Sequence, residues 1–272
     1  MSISQGPVIS SLANEKIKVV LRLAKAGARK KRSLIIIDGE REISAAAKAG
    51  LEIPSLFYCP TFSNLADAAV RKNFYTLGAK INEVSPAVFK KICYKEKPDG
   101  FLALARPKFL TLKDLSLGEK PLVIILENVE KPGNLGAILR TAYAAQVGAV
   151  IINEEQTDIY NPNVIRASEG LVFLQPLVVS GREETLKWLK INKIKSLAAS
   201  TGGRKNYWQA DLSGPAAIIL GTEAAGLSPA WLKAADEAIK IPMRSGLDSL
   251  NVSVAAALIV FEAKRQRRSA TS

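Results

Sequence analysis

The chain has 272 residues, 48% of them hydrophobic, enough to bury a sizeable core in one large domain or two modest ones. Its 38 Lys and Arg against 25 Asp and Glu give a net charge of +13, which favours an anionic partner such as nucleic acid. The chain contains no histidine, which removes the commonest general base and metal ligand, and its two cysteines, Cys59 and Cys93, have no metal-binding or redox spacing.

The elements are predicted in chain order. Asn14 to Ala28 carries the apolar spacing of a helix, with Ile17, Val20, Leu21 and Ala24 on one face. The basic run Arg29 to Arg32 follows, then an apolar strand from Leu34 to Ile37 that ends at Asp38-Gly39. Glu40 to Ala49 predicts a helix closed by Gly50, Ser55 to Tyr58 a strand, and Asn64 to Leu77 a helix. Ser85 to Lys91 predicts a shorter helix and Gly100 to Ala105 a strand. Residues 1–106 thus form a small α/β domain with a polar leader, and 107–120 a linker. Residues 1–120 hold 21 basic and 11 acidic side chains, a net +10, against +3 for the remainder, so the cationic surface belongs to the N-terminal half.

Residues 121–268 predict a second α/β domain, followed by a polar tail at 269–272. Leu122 to Leu126, Val150 to Ile152, Ser196 to Ala199 and Ala216 to Leu220 are apolar strands, and Leu171 to Pro176 is extended. Asn134 to Gln146, Glu183 to Asn192 and Asn251 to Arg267 are helices, the last burying Val252, Ala255, Ala256, Ile259 and Val260. Alternation of short apolar strands with helices predicts a mostly parallel sheet covered on both faces, with ligand chemistry at the strand ends. No apolar span approaches membrane length, and a soluble intracellular protein is expected.

Three bends concentrate the unusual polar chemistry. In the first, Pro132-Gly133 sets a turn, Asn134 is placed to cap a helix, Gly136 permits close backbone approach, and Arg140 sits nearly two turns further on. In the second, Gly221 follows a strand and Glu223 places a carboxylate beside open backbone groups. In the third, Ile241 to Asn251, the residues Ser249, Asn251 and Ser253 bring more hydrogen-bonding groups to a helix start than one cap requires.

These three segments, and above all Ser249-Leu250-Asn251-Val252-Ser253, resemble the signature motifs of the SpoU/TrmH family of SPOUT RNA ribose 2'-O-methyltransferases, over about Leu122 to Arg267. The N-terminal portion, with Arg32 and Asp38-Gly39-Glu40-Arg41, resembles the L30e-like substrate-binding domain often attached to that family. The resemblance implies a deep C-terminal trefoil knot and a homodimer with its clefts near the subunit interface. It implies S-adenosylmethionine bound by Gly221, Ile241 and Leu250 with Thr201 and Gly202 nearby, S-adenosylhomocysteine as product, and no metal. It places Arg140 at the ribose hydroxyl, with Asn134, Glu223, Ser249 and Asn251 orienting the reacting groups.

Lys131, Tyr143 and Gln146 depart from the residues common in the family at those positions. Arg29, Lys30, Lys31 and Arg32, with Arg41 and Lys25, are suited to phosphate contacts, which position RNA without reading its sequence. Arg166 and Ser168, in a further family-like segment from Asn161 to Gly170, are also candidates to meet RNA. Structured RNA is the implied substrate, ribosomal RNA ahead of transfer RNA. The alternatives are a tRNA enzyme and a non-catalytic dimeric RNA-binding or ribosome-assembly protein. Cytoplasmic location follows in a bacterium, an organelle being the other setting in a eukaryote.

Overall fold

The computed structural model describes residues 6–63, 78–222, 225–246 and 249–269. The helix expected from Asn64 to Leu77 lies outside the described residues. The chain divides into two compact units, one of residues 1–108 with 158–174 and the other of 109–157 with 175–272. Residues 158–174, assigned by sequence to the second domain, therefore belong to the first unit.

In the first unit four strands, β1 (Ile35–Asp38), β2 (Ser55–Tyr58), β3 (Lys80–Glu83) and β4 (Phe101–Ala105), form a sheet of order β1-β4-β2-β3. β4 runs antiparallel to β1 and β2, while β2 and β3 are parallel. Ile17, Val20, Ile36, Phe57, Phe89 and Leu102 share one buried cluster. The expected single helix from Asn14 is two, Glu15–Arg22 and Ala26–Arg32, so the basic run is itself helical. Asn14 caps the first by accepting from the Lys16 amide at 3.0 Å.

Residues 158–174 are held to this unit by polar contacts. The Arg29 guanidinium bonds Asp158 at 2.6 Å, Arg166 donates to the Tyr94 carbonyl at 3.2 Å, and Arg41 pairs with Glu169. Their expected extended stretch from Leu171 is instead a single tight turn, Leu171–Phe173, after a short helix Pro162–Ala167.

The second unit has seven strands: β5 (Leu122–Glu127), β6 (Ala149–Asn153), β7 (Leu177–Val179), β8 (Lys195–Ala199), β9 (Lys205–Asn206), β10 (Ala216–Leu220) and β11 (Glu237–Lys240). Their order is β7-β6-β5-β10-β8-β11-β9, with every pair parallel. β5, β6 and β10 are buried along their whole length, as strands covered on both faces must be. The parallel α/β architecture expected from the sequence is present.

β11 lies between β8 and β9, although those two are joined by only Ser200 to Arg204. That connection therefore crosses β11. The Ser200 amide donates to the Ile239 carbonyl at 2.9 Å, and Gly203 sits so close that a Cβ would lie 2.6 Å from the Ile239 oxygen. Glu237 of β11 pairs with Lys195 of β8 at 2.7 Å and with Lys205 of β9 at 2.6 Å. Those two lysines, Lys195 first, hold its carboxyl below the usual range. A strand as short as β9 depends on such ties.

Candidate active site

The ends of β8, β10 and β11 open into a cavity of about 310 Å³, lined by the three segments that follow those strands. Its size falls in the range of about 300–1,000 Å³ typical of small-molecule sites. Ser200 and Thr201 come from the loop after β8, Gly221, Thr222 and Leu227 from the loop after β10, and Ile241, Met243, Ser249 and Leu250 from the segment after β11. Thr201, Gly221, Ile241 and Leu250 are thus brought together as the sequence predicted. Gly202 is beside them but does not line the cavity, its amide being turned to the Ser200 hydroxyl at 3.3 Å.

The loop after β10 is tight because its backbone closes on itself. Thr222 and Gly226 exchange amide bonds of 3.1 and 3.0 Å, and the Thr222 hydroxyl accepts from the Ala225 amide at 3.0 Å. Gly221 packs against the return strand of that loop. A Cβ there would collide with the Gly226 carbonyl and lie 2.5 Å from the Leu227 nitrogen. Only glycine leaves that space free. Glu223, the predicted acid of this loop, lies outside the described residues.

The helix of the first bend runs Pro132–Ala145, with Lys131 as its N-cap. The expectation that Asn134 caps it is corrected, because Pro132 occupies the first helical position, where its missing N–H costs nothing, and Asn134 falls in the first turn. That frees the Asn134 carboxamide for a longer reach. Its oxygen accepts from Asn251 Nδ2 at 3.0 Å, joining the first bend to the third across 117 residues.

Asn251 Oδ1 in turn accepts from the Ser253 amide at 2.9 Å and hydroxyl at 2.6 Å, an N-cap for the final helix, Val252–Ser269. This helix packs along Pro132–Ala145 and buries Val252, Ala256, Ile259 and Val260 as expected. Ala255 is only half-buried and borders the cavity instead. Arg140 lies on the exposed side of the first helix and does not line the cavity. Tyr143, three residues on, is on the same side and 46% exposed.

One contributor was not singled out from the sequence. Glu127, the last residue of β5, is 2% exposed, and its carboxylate accepts from the Ser228 amide at 2.8 Å and hydroxyl at 2.7 Å. Arg182 lies 3.9 Å away. Ser228 also caps the helix Pro229–Ala234, so Glu127 fixes the far end of the loop that lines the cavity. The legible signal was an acid closing a strand that is otherwise wholly apolar, Leu-Val-Ile-Ile-Leu-Glu.

The predicted phosphate contacts divide. Arg29 is buried at 5% exposure, with its guanidinium bonded to Asp158 and to the carbonyls of Leu23 and Ala24, both at 2.9 Å. It is an internal tie and leaves the surface cluster. Lys30, Lys31 and Arg32 are exposed, as are Arg41, paired with Glu169, and Arg166. Ser168 is fully buried, donating to the Ile165 carbonyl at 3.0 Å, and is likewise withdrawn as an RNA contact. Among the described residues no group of three His, Cys, Asp or Glu is arranged to hold a metal ion, and no helix is long and apolar enough to cross a membrane.

This arrangement agrees with comparisons to known proteins. Residues 121–261 match the SpoU rRNA Methylase family, and residues 14–103 match an MRM3-like substrate binding domain. A curated relative from Vibrio parahaemolyticus, the 23S rRNA (guanosine-2'-O-)-methyltransferase RlmB, is 37% identical over 157 residues, 57% of this chain and 64% of that protein. The chain thus spans a little under two thirds of that relative's length. Among solved structures, an RNA 2'-O ribose methyltransferase superposes with a TM-score of 0.85 at 38% identity, covering 96% of this chain and all of the other. An AdoMet-bound rRNA methyltransferase from Sinorhizobium meliloti superposes with a TM-score of 0.86 at 27% identity, covering 95% and 97%. With its family match on the unit that holds the cavity, the chain belongs to the SpoU rRNA Methylase family.

Proposed function

We propose that this chain transfers a methyl group from S-adenosylmethionine to a ribose 2'-hydroxyl of ribosomal RNA. The observation that carries the reading is the convergence of the three segments after β8, β10 and β11 on one cavity, with Asn134 of the first bend bonded to Asn251 of the third. The family's relatives include an rRNA 2'-O-methyltransferase and an AdoMet-bound structure, which support both substrate and cofactor. The crossing of Ser200 to Arg204 over β11 supports the deep knot that the family likeness implies, an exception to the rule that chains do not thread.

The cavity suits the cofactor. Leu227, Ile241, Met243 and Leu250 give apolar surface for an adenine and a thioether chain, while Ser200, Thr201, Thr222 and Ser249 give hydroxyls and the tight loops give open backbone groups. When bound, S-adenosylmethionine supplies a methyl group already electrophilic on its sulfonium. The chain's task is then alignment and charge stabilisation. Arg140 brings a planar, charged guanidinium to that task. Its guanidinium holds the acceptor hydroxyl or the neighbouring phosphate and stabilises negative charge developing on the oxygen. Asn134 and Asn251, bonded to each other, and Ser249 at the cavity wall orient the acceptor by neutral hydrogen bonds.

Labelled S-adenosylmethionine offered to undermodified rRNA and, in parallel, to undermodified tRNA tests the reading. Digestion of the product is expected to yield a labelled 2'-O-methylnucleoside. A labelled base would overturn the ribose assignment, label appearing only in tRNA would overturn the substrate, and no transfer to either would favour a non-catalytic RNA-binding protein.

The partner of the second unit is a second copy of the chain. Val254, Leu258 and Phe261 are 48%, 39% and 49% exposed at i, i+4 and i+7 spacing on the final helix, and Tyr143 is exposed on the helix packed beside it. Exposed apolar stripes of this kind mark interfaces. Leu258→Asp with Phe261→Asp is expected to convert a dimer to a monomer by light scattering at unchanged helical content. A wild-type chain that is monomeric at micromolar concentration would overturn the assignment.

A further inference from the structure

The cations of the two N-terminal helices are not equivalent. Residues 15–32 contain eight basic side chains and one acid. Three of the eight are used internally: Lys16 donates to Asn82 at 2.5 Å, Lys18 to Glu15 at 2.7 Å, and Arg29 to Asp158 and two carbonyls. Arg29 thereby ties the turn between the two helices from inside. Of the five cations that remain, Arg22, Lys25, Lys31 and Arg32 surround a cavity of about 570 Å³, while Lys30 does not line it. No acidic side chain among the described residues forms an ion pair with any of the four.

The floor of this cavity is apolar. Leu21, 42% exposed, and the half-buried Ala28 form it, with the aliphatic stems of the four cations around them. An exposed leucine inside a ring of four cations without a close ion pair is poorly explained as a solvated helix face. Phosphates satisfy the rim, and the apolar face of a base satisfies the floor, with the two guanidinium planes able to stack. An RNA duplex presents its phosphates outward but turns its base faces inward. Only an unpaired segment offers both at once.

We propose that the groove between the helices Glu15–Arg22 and Ala26–Arg32 holds a single-stranded segment of the RNA substrate, phosphates on Arg22, Lys25, Lys31 and Arg32 and a nucleoside against Leu21. The inference rests on the RNA-modifying reading for its ligand and adds which RNA conformation is held and where. It makes Arg29 the builder of the groove rather than a contact.

The full-length chain is tested by fluorescence anisotropy with a labelled short oligouridylate and a labelled blunt-ended RNA duplex over a series of salt concentrations. The wild type is expected to prefer the oligouridylate. Replacing Arg22, Lys25, Lys31 and Arg32 with Gln is expected to flatten the dependence of log K on log salt by about 3, from about 0.7 per neutralised phosphate. Leu21→Ala is expected to weaken oligouridylate binding about fivefold at unchanged salt slope, since it removes apolar contact and no charge. Unchanged S-adenosylmethionine affinity and circular dichroism establish that the variants are folded.

An unchanged slope in the fourfold variant, a silent Leu21→Ala, or a preference for the duplex would overturn the proposal. Methyl transfer by the wild type is measured separately. Its absence together with the expected oligouridylate results would overturn the enzymatic reading and leave the groove standing.

Discussion

Arg140→Ala is expected to lower single-turnover methyl transfer by about 10²- to 10³-fold, the cost of removing one charge-stabilising donor from a transition state. S-adenosylmethionine affinity should stay near that of the wild type, because Arg140 does not line the cavity. Stability should change little, since the side chain is exposed on the Pro132–Ala145 helix and the buried side of that helix is made by Leu135, Ile138, Leu139 and Ala142. Arg140→Lys keeps the charge but loses the planar fork and should recover only part of the rate. Near-wild-type turnover by folded Arg140→Ala would remove this residue from the mechanism.

The second large effect is expected at Gly221. The atoms that an added methyl would strike, the Gly226 carbonyl and the Leu227 nitrogen, are backbone and cannot rotate away. The loop must move as a body, against the paired amides of Thr222 and Gly226 and the Glu127 clamp on Ser228. Gly221→Ala should therefore cost about 1–3 kcal/mol of stability, as overpacking does. Because Gly221, Thr222 and Leu227 all line the cavity, cofactor affinity should fall at least about tenfold in the same variant.

Gly214→Ala is the control. Gly214 also belongs to the second unit, and a Cβ there meets nothing within 4 Å. Calorimetric titration with S-adenosylmethionine and thermal unfolding of both variants test the argument. Wild-type affinity in Gly221→Ala would show that this loop does not shape the cofactor site.

The strands legible in the sequence are those whose burial is continuous. Leu122–Glu127 and Ala216–Leu220 are apolar for nearly their whole length because helices cover both faces, and composition alone marks them. β11 and β9 gave no such signal. Only Ile239 of Glu237–Lys240 is fully buried, and β9 has two residues, so both exist through pairing with strands far away in the chain. That the Pro162–Ala167 helix and its neighbours pack with the first unit was not legible for a related reason. Nothing local to residues 158–174 shows that Arg29 and Tyr94 receive Asp158 and Arg166.

The loops that line the cavity after β10 and β11 were legible as bends because their chemistry is local: a glycine after an apolar strand, or hydroxyls and carboxamides crowded at a helix start. Arg29 was not. In the sequence it is one of four consecutive cations with the same intrinsic charge, yet the structure buries it against Asp158 and leaves the other three exposed. Asn134 likewise carries an N-cap signature, but Pro132 begins the helix and its carboxamide turns to Asn251.

The sequence by itself determined the parallel α/β class, the apolar strands, the positive charge of the N-terminal half and the three bends, because apolar periodicity, net charge and turn chemistry are properties of neighbouring residues. Only the tertiary structure decided that β11 passes between β8 and β9, that the second and third bends close on one cavity with the loop after β8, and which cations face outward. Those outcomes depend on which distant groups exclude water from a side chain and complete its hydrogen bonds, and that is set by the packed fold.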